Sequence, residues 1–190
     1  MVMFVAWLKG SIFLLAGLLL LAAPAHAEDA IGFEADAVSI NQEDGSMLAT
    51  GNVVMTQAGM NLYADEVRYN RKDDVAVATG NVRFIDNDGA VHHAEVMTLD
   101  TEFTHIVAET LRSKYNDGSF FIADSGDIVS GATSVFDSLR FSPCNCDFEN
   151  GETPIWDLRA TSTRHNAETQ TIIHSNERMH ILNVPIGYLP

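Results

Sequence analysis

Two cysteines one residue apart, Cys144 and Cys146, an adjacent histidine pair at His92 and His93, two further histidines at His174 and His180, and 26 carboxylates are the groups with chemical potential in this 190-residue chain. Neighbouring residues on a strand point to opposite faces, so His92 and His93 cannot both ligate one metal. His174 and His180 share a face of an unbroken strand but stand roughly 20 Å apart at about 3.3 Å per residue. A zinc site wants four ligands, usually from paired knuckles, and Cys144-x-Cys146 has no second pair. The carboxylates gather in turns and at the polar positions of strands, where solvation is reason enough for them. No GxSxG elbow, P-loop, GxGxxG or HExxH occurs. The expectation is a protein that is not an enzyme, with no catalytic residue, no metal and no cofactor.

A disulfide is the predicted fate of the two thiols, because the first residues read as an export signal into an oxidising compartment. Lys9 supplies a positive start, Ile12 to Ala23 an apolar run too short for a membrane span, and Ala25-His26-Ala27 a small-x-small cleavage site. Residues 1–27 are therefore expected to be a signal peptide and 28–190 the mature domain. A one-residue spacer makes a mutual bond hard to close geometrically. Pairing of Cys144 with Cys146, or of either with a partner elsewhere, stays open at this point. The formal charge is −15, and Lys9 is the only charged group before Glu28. So acidic a chain repels phosphate backbones, which excludes nucleic acid as a partner. With 46% apolar residues the acidity does not mean disorder, since a packed core is within reach.

The elements that must position these groups come from a repeat. "ATGNV" stands at Ala49 to Val53 and again at Ala78 to Val82, and a shift of 29 or 30 residues aligns Ala35-Asp36, Ala64-Asp65, Ala94-Glu95 and Ala123-Asp124 in one column. Apolar residues recur every second position, which selects strands over helices. In the second unit Leu62 and Ala64 share a face, then Val67 and Tyr69, then Val75 and Val77, then Val82 and Phe84. The rhythm slips at 64–67 and at 77–82. A strand that must keep one face buried absorbs such a slip with a bulge, and Gly80 lies in the second slip. The "TGN" triplet is thus expected to bend a long strand so that both halves face one interior. Turn-forming clusters at 41–45, 70–74, 100–104 and 165–169, and at 56–60, 86–89, 116–118 and 144–154, punctuate about ten antiparallel strands.

The predicted fold class is therefore all-β: stacked antiparallel units of about 29 residues around one apolar wall. Ile40, Leu62, Tyr69, Val82, Phe84, Leu99, Ile106, Leu111, Phe121, Phe136, Leu139 and Phe141 are its candidate lipid-binding residues, in a column that also holds Phe33, Ala35, Val38, Ala64, Val77 and Ile128. As a closed core the wall stabilises the domain. As a trough it could take acyl chains, each methylene contributing about 0.8 kcal/mol. The two terminal layers leave open edges that invite partners.

Three stretches carry a family resemblance: the units of Tyr63 to Phe84, "FSPCNCD" at 141–147, and "RMHILNVPIGYLP" at 178–190, with Trp156 between the last two. Together they resemble the N-terminal periplasmic (OstA-like) domain of the lipopolysaccharide-assembly protein LptD, over essentially the whole mature chain. That resemblance implies a V-shaped antiparallel β-jelly-roll whose interior carries the acyl chains of lipopolysaccharide in the periplasm, at the outer membrane. It implies strand addition by a periplasmic bridge protein of the LptA type at the N-terminal edge, and an outer-membrane barrel with its plug lipoprotein at the far end. It further implies that a cysteine at position 144 can link the domain to the barrel. Family members continue into barrel strands beyond the equivalent of Pro190, so a truncated or split product is expected. A free-standing LptA-like bridge subunit and a structural secreted β-repeat protein without ligand are the alternative readings.

Overall fold

A computed structural model describes residues 31–146 and 152–190. The expected signal peptide and part of the insertion after the cysteines lie outside the described residues. Thirteen strands form one antiparallel sheet, with no helix among the described residues. They are β1 (Gly32–Glu34), β2 (Ala37–Ile40), β3 (Met47–Gln57), β4 (Met60–Asn70), β5 (Val75–Ile85), β6 (Val91–Asp100), β7 (His105–Lys114), β8 (Phe120–Val129), β9 (Thr133–Ser142), β10 (Trp156–Asn166), β11 (Thr171–Ser175), β12 (Glu177–Ile181) and β13 (Val184–Leu189). Strand follows strand in space as in sequence from β3 to β10, so the sheet is a meander that does not close.

More strands appear than the ten or so expected, because β1 and β2 are two halves of one bent layer against β3, and β11 and β12 two halves of one against β10. Two hairpin turns escaped the sequence pattern, one of them Leu182–Asn183 between β12 and β13, with φ of +47° and +65°. Ser130 to Ala132 joins β8 to β9, with Ala132 N–H donating to Val129 O at 3.2 Å and Gly131 at φ +69°.

The bend is built where the repeat placed it. Gly51 and Asn52, and Gly80 and Asn81, hold φ of +77°, +45°, +74° and +47°, a left-handed pair on β3 and again on β5. Register shifts there, from Thr50 to Val53 and from Thr79 to Val82. Left-handed backbone favours Gly and tolerates Asn, which explains the two letters of the triplet. An acid of the preceding layer locks each corner: Asn52 Nδ2 donates to Asp36 Oδ2, between β1 and β2, at 2.9 Å, and Asn81 Nδ2 to Asp65 Oδ2, on β4, at 2.7 Å. The "Ala-Asp" column and the "Gly-Asn" column are thus two halves of one hydrogen-bonded joint. Thr110, Ser138 and Asn176, with φ of +56°, +54° and +53°, are single left-handed residues on β7, on β9 and just beyond β11.

A corner of two left-handed residues leaves the parity of β5 unchanged, which corrects the reading of its first half. Ala76 and Ala78 are buried alongside Val82 and Phe84, while Val75 and Val77 are only half-buried on the other face. On β4 the slip is the expected one, with Leu62, Ala64 and Val67 all buried around a register shift from Tyr63 to Glu66.

Candidate functional site

The corners fold the sheet over its own apolar face. Phe84 sits near the end of β5, whereas Phe103 lies in the turn after β6, at the opposite end of the strands; a straight strand would separate them by about 30 Å. Their ring centroids are 5.8 Å apart, edge to face. Phe121 and Phe136, five register steps apart along the β8–β9 ladder, meet likewise at 5.1 Å. The two halves of the sheet therefore face each other across an interior lined by one continuous cluster of apolar residues.

The twelve candidate lipid-binding residues divide unequally over that interior. Leu62, Val82, Phe84, Leu99, Ile106, Leu111, Phe121, Phe136 and Leu139 belong to the buried cluster, and Tyr69 and Phe141 pack against it half-buried. Ile40 does not join them: it is 67% exposed on β2, as is Val38 at 49%, because the edge layer has no further strand to cover it. The candidate list also omitted Ala49, Val53, Met55, Val67, Ala76, Ala78, Met97, Ala108 and Ala123, all in the cluster. The register column of the repeat was the signal that could have found them. Phe103 was missed for a different reason, since it reads as a turn residue. Its φ is +57°, and Asp100 holds the turn by accepting Phe103 N–H at 3.2 Å and, through Oδ1, Thr104 N–H at 2.7 Å. The strained backbone aims the ring inward. Small residues on the strands and large rings at the crossings let the halves approach. A Cβ on Gly126 would stand 2.9 Å from Leu111 Cδ2 and 3.1 Å from the Phe136 ring.

One polar group enters the wall. His92 Nδ1 lies 2.8 Å from Ser113 Oγ and its Nε2 3.2 Å from Asp86 Oδ2, with Phe84 and Tyr115 against its ring. Burial holds the imidazole below the ordinary histidine range, opposed by the hydrogen bond to Asp86. The unfolded chain thus binds the proton more readily, and the stability that neutral His92 contributes above about pH 6.5 is lost as pH falls toward its folded pKa. Unfolding in urea at pH 7.5 and 5.5 should show a steeper loss for the native chain than for His92→Gln. The excess cannot exceed about 1.4 kcal/mol per pH unit for one group, and equal slopes would remove His92 as its source. His93 takes the outer face, as strand alternation requires.

Near the other end of the sheet Asp157, 1% exposed, accepts from Arg159 Nε at 2.7 Å and Arg140 Nη2 at 2.9 Å. Burial raises its pKa, but the two guanidinium hydrogen bonds outweigh burial and hold the carboxyl below the usual range. Cys144 and Cys146 stand side by side with Cα atoms 5.2 Å apart, a separation a disulfide can span. Asn145 between them packs on Gly118, as Asn116 does on Gly89 and Asn87 on Gly59, so the cysteine segment ends a rim of stacked Asn-on-Gly turns.

The family described as LptA/(LptD N-terminal domain) LPS transport protein matches residues 33–122. No curated protein matches the chain. Among solved structures, LptH from Pseudomonas aeruginosa, described as the LptA homologous periplasmic component of the conserved lipopolysaccharide transport device, is similar at 12% identity and a TM-score of 0.33, over 83% of this chain and 99% of that one. The matched family is one of transport proteins and not of enzymes, and it acts in the periplasm. Its matched segment runs from β1 into β8, through the repeats that carry the Asp–Asn corners and most of the apolar wall. Residues 33–122 of this chain thus match the LptA/(LptD N-terminal domain) family of lipopolysaccharide transport proteins.

Proposed function

We propose that the domain carries lipopolysaccharide through the periplasm to the outer membrane, taking the acyl chains between the two halves of its folded sheet. The observation that carries this reading is the single apolar wall running from β3 to β10 inside a sheet that never closes on itself. An interior held by side-chain contacts across a fold line can part along that line, which a closed barrel cannot do. Lipid entry displaces the Phe84–Phe103 and Phe121–Phe136 contacts. Apolar burial is not lost in the exchange, because acyl methylenes replace the rings at about 0.8 kcal/mol each.

The edges give the direction. At the N-terminal end β1 and β2 have one neighbour only among the described residues, and Ile31, Val38 and Ile40 stand exposed on or beside them. A periplasmic bridge protein of the LptA type docks there by adding a strand. At the far end β13 presents Val184, Ile186, Tyr188 and Leu189. This edge faces the outer-membrane barrel and its plug lipoprotein. The matched family spans both LptA and the LptD N-terminal domain, which keeps the free-standing bridge subunit as a second reading.

A photoreactive residue at Phe84 or Phe136 tests the proposal directly. Irradiation in the presence of lipopolysaccharide should yield an adduct at either position and none at the exposed turn residue Glu168. A structural protein without ligand gives no adduct anywhere.

A further inference from the structure

The outer face of β5 to β7 gathers Arg83, Arg112 and Lys114 around His93. On the β5–β6–β7 ladder Arg83 stands opposite His93, and His93 opposite Arg112. Lys114 follows two residues on, on the same side of β7, because Leu111 and Ser113 between and beside them are buried inward. Arg83 lies over the Tyr63 ring at 4.2 Å. No carboxylate comes within ion-pair distance of Arg83, Arg112 or Lys114 among the described residues. Two guanidinium groups and an ammonium thus share one small outer area of a chain whose net charge is −15.

The space beside them explains what they could hold. A cleft of about 610 Å³ begins at His93, Arg112 and Lys114 on the outer face, passes the turn at Tyr115 and reaches Phe121 of the apolar wall. The Tyr115 and Phe121 rings are 6.0 Å apart, so the apolar surface is continuous over the rim. One carboxylate lines this cleft, Asp117, and it is already engaged: Ser119 N–H and Oγ donate to its Oδ1 at 2.8 and 2.6 Å. Glu95 lines the neighbouring cleft shared by Arg83, His93 and Arg112. A ligand that fills the first cleft must be anionic at one end and apolar at the other.

We propose that His93, Arg112 and Lys114 seat the phosphate of a phosphorylated glycolipid whose acyl part turns over the rim at Tyr115 toward Phe121. Guanidinium and ammonium groups bind phosphate through charge-assisted hydrogen bonds, and the outer face leaves the headgroup in water. The assignment rests on the transport reading above and adds to it a headgroup site outside the trough.

Binding of phosphorylated lipid A, of the same lipid after phosphatase treatment, and of inorganic phosphate should be measured on the full chain and on the double variant Arg112→Gln/Lys114→Gln. The native chain should prefer the phosphorylated lipid by about tenfold or more, the preference should shrink in high salt, and the double variant should lose it. Both substitutions lie on exposed positions, and the salt dependence of the native chain reads the same site without any substitution. Equal affinity of the native chain for the two lipids, or a preference that survives in the double variant, overturns the headgroup site while leaving lipid transport standing. Phosphate that saturates the native chain with no lipid preference marks a free-ion site and also overturns it. Failure of the native chain to bind either lipid overturns the transport reading and this assignment together.

Discussion

Alanine at Gly80 should cost about 3 kcal/mol of stability, read as a shift in the urea midpoint at unchanged slope. Two terms add at this position. A left-handed φ of +74° penalises any Cβ by about 1–2 kcal/mol. The added Cβ would then stand 2.8 Å from the Asp65 Cβ and 2.5 Å from its Oδ2, and no rotamer moves a Cβ. Gly131 separates the two terms, since its φ is +69° but nothing lies within 4 Å of the site. Alanine there should cost only the backbone share, about 1 kcal/mol. Equal costs at the two glycines would mean that the close packing of each corner on the preceding acid contributes nothing, and that the Asp–Asn joint does not set the fold line.

Phe103→Ala should move stability and lipid uptake in opposite directions. Phe103 is 4% exposed and meets Phe84 across the interior, so truncation forfeits about 3 kcal/mol or more of burial and leaves a void. Because the ring comes from a turn rather than a strand, its removal spares the ladder while releasing one of the two aromatic contacts that bring the halves together. Capture of lipopolysaccharide by a photoreactive residue at Phe136 should then be several-fold faster than in the parent. A loss of stability accompanied by slower or unchanged capture would show that these contacts do not gate the interior. Alanine substitution at Met97, which is 1% exposed in the middle of β6 and pairs with Ala78 and Ala108 rather than with either ring, should lower stability by a similar amount without speeding capture.

The fold was legible because its key joint is local and repeated. Period-two spacing identified the strands, and the recurrence of Gly-Asn at 51–52 and 80–81 located the corners, since few residues tolerate that backbone. The bulge arithmetic was not legible. From letters alone, Val75 and Val77 look like better core residues than Ala76 and Ala78, and the choice between them depends on whether the corner spends one residue or two. Small alanines also carry a weak hydropathy signal, yet they fill the wall where opposing halves approach most closely. Ile40 was misplaced because alternation cannot say which layer is last. Phe103 was invisible because a residue inside an Asp-containing turn is expected in solvent. Lateral neighbours across strands, such as Arg83, His93 and Arg112, come from sequence positions up to 29 apart, so the outer cationic line exists only once register is known.

Each strand from β3 to β10 lies beside the one that precedes it and the one that follows it in the chain. Such a molecule can be wound up progressively, every new hairpin laid on a template already finished, with no rung waiting for a distant segment to arrive. Short loop closures keep the entropy of each addition small and favour rapid assembly. For a polypeptide delivered end-first through a narrow passage, the first turns could be complete while the last were still emerging.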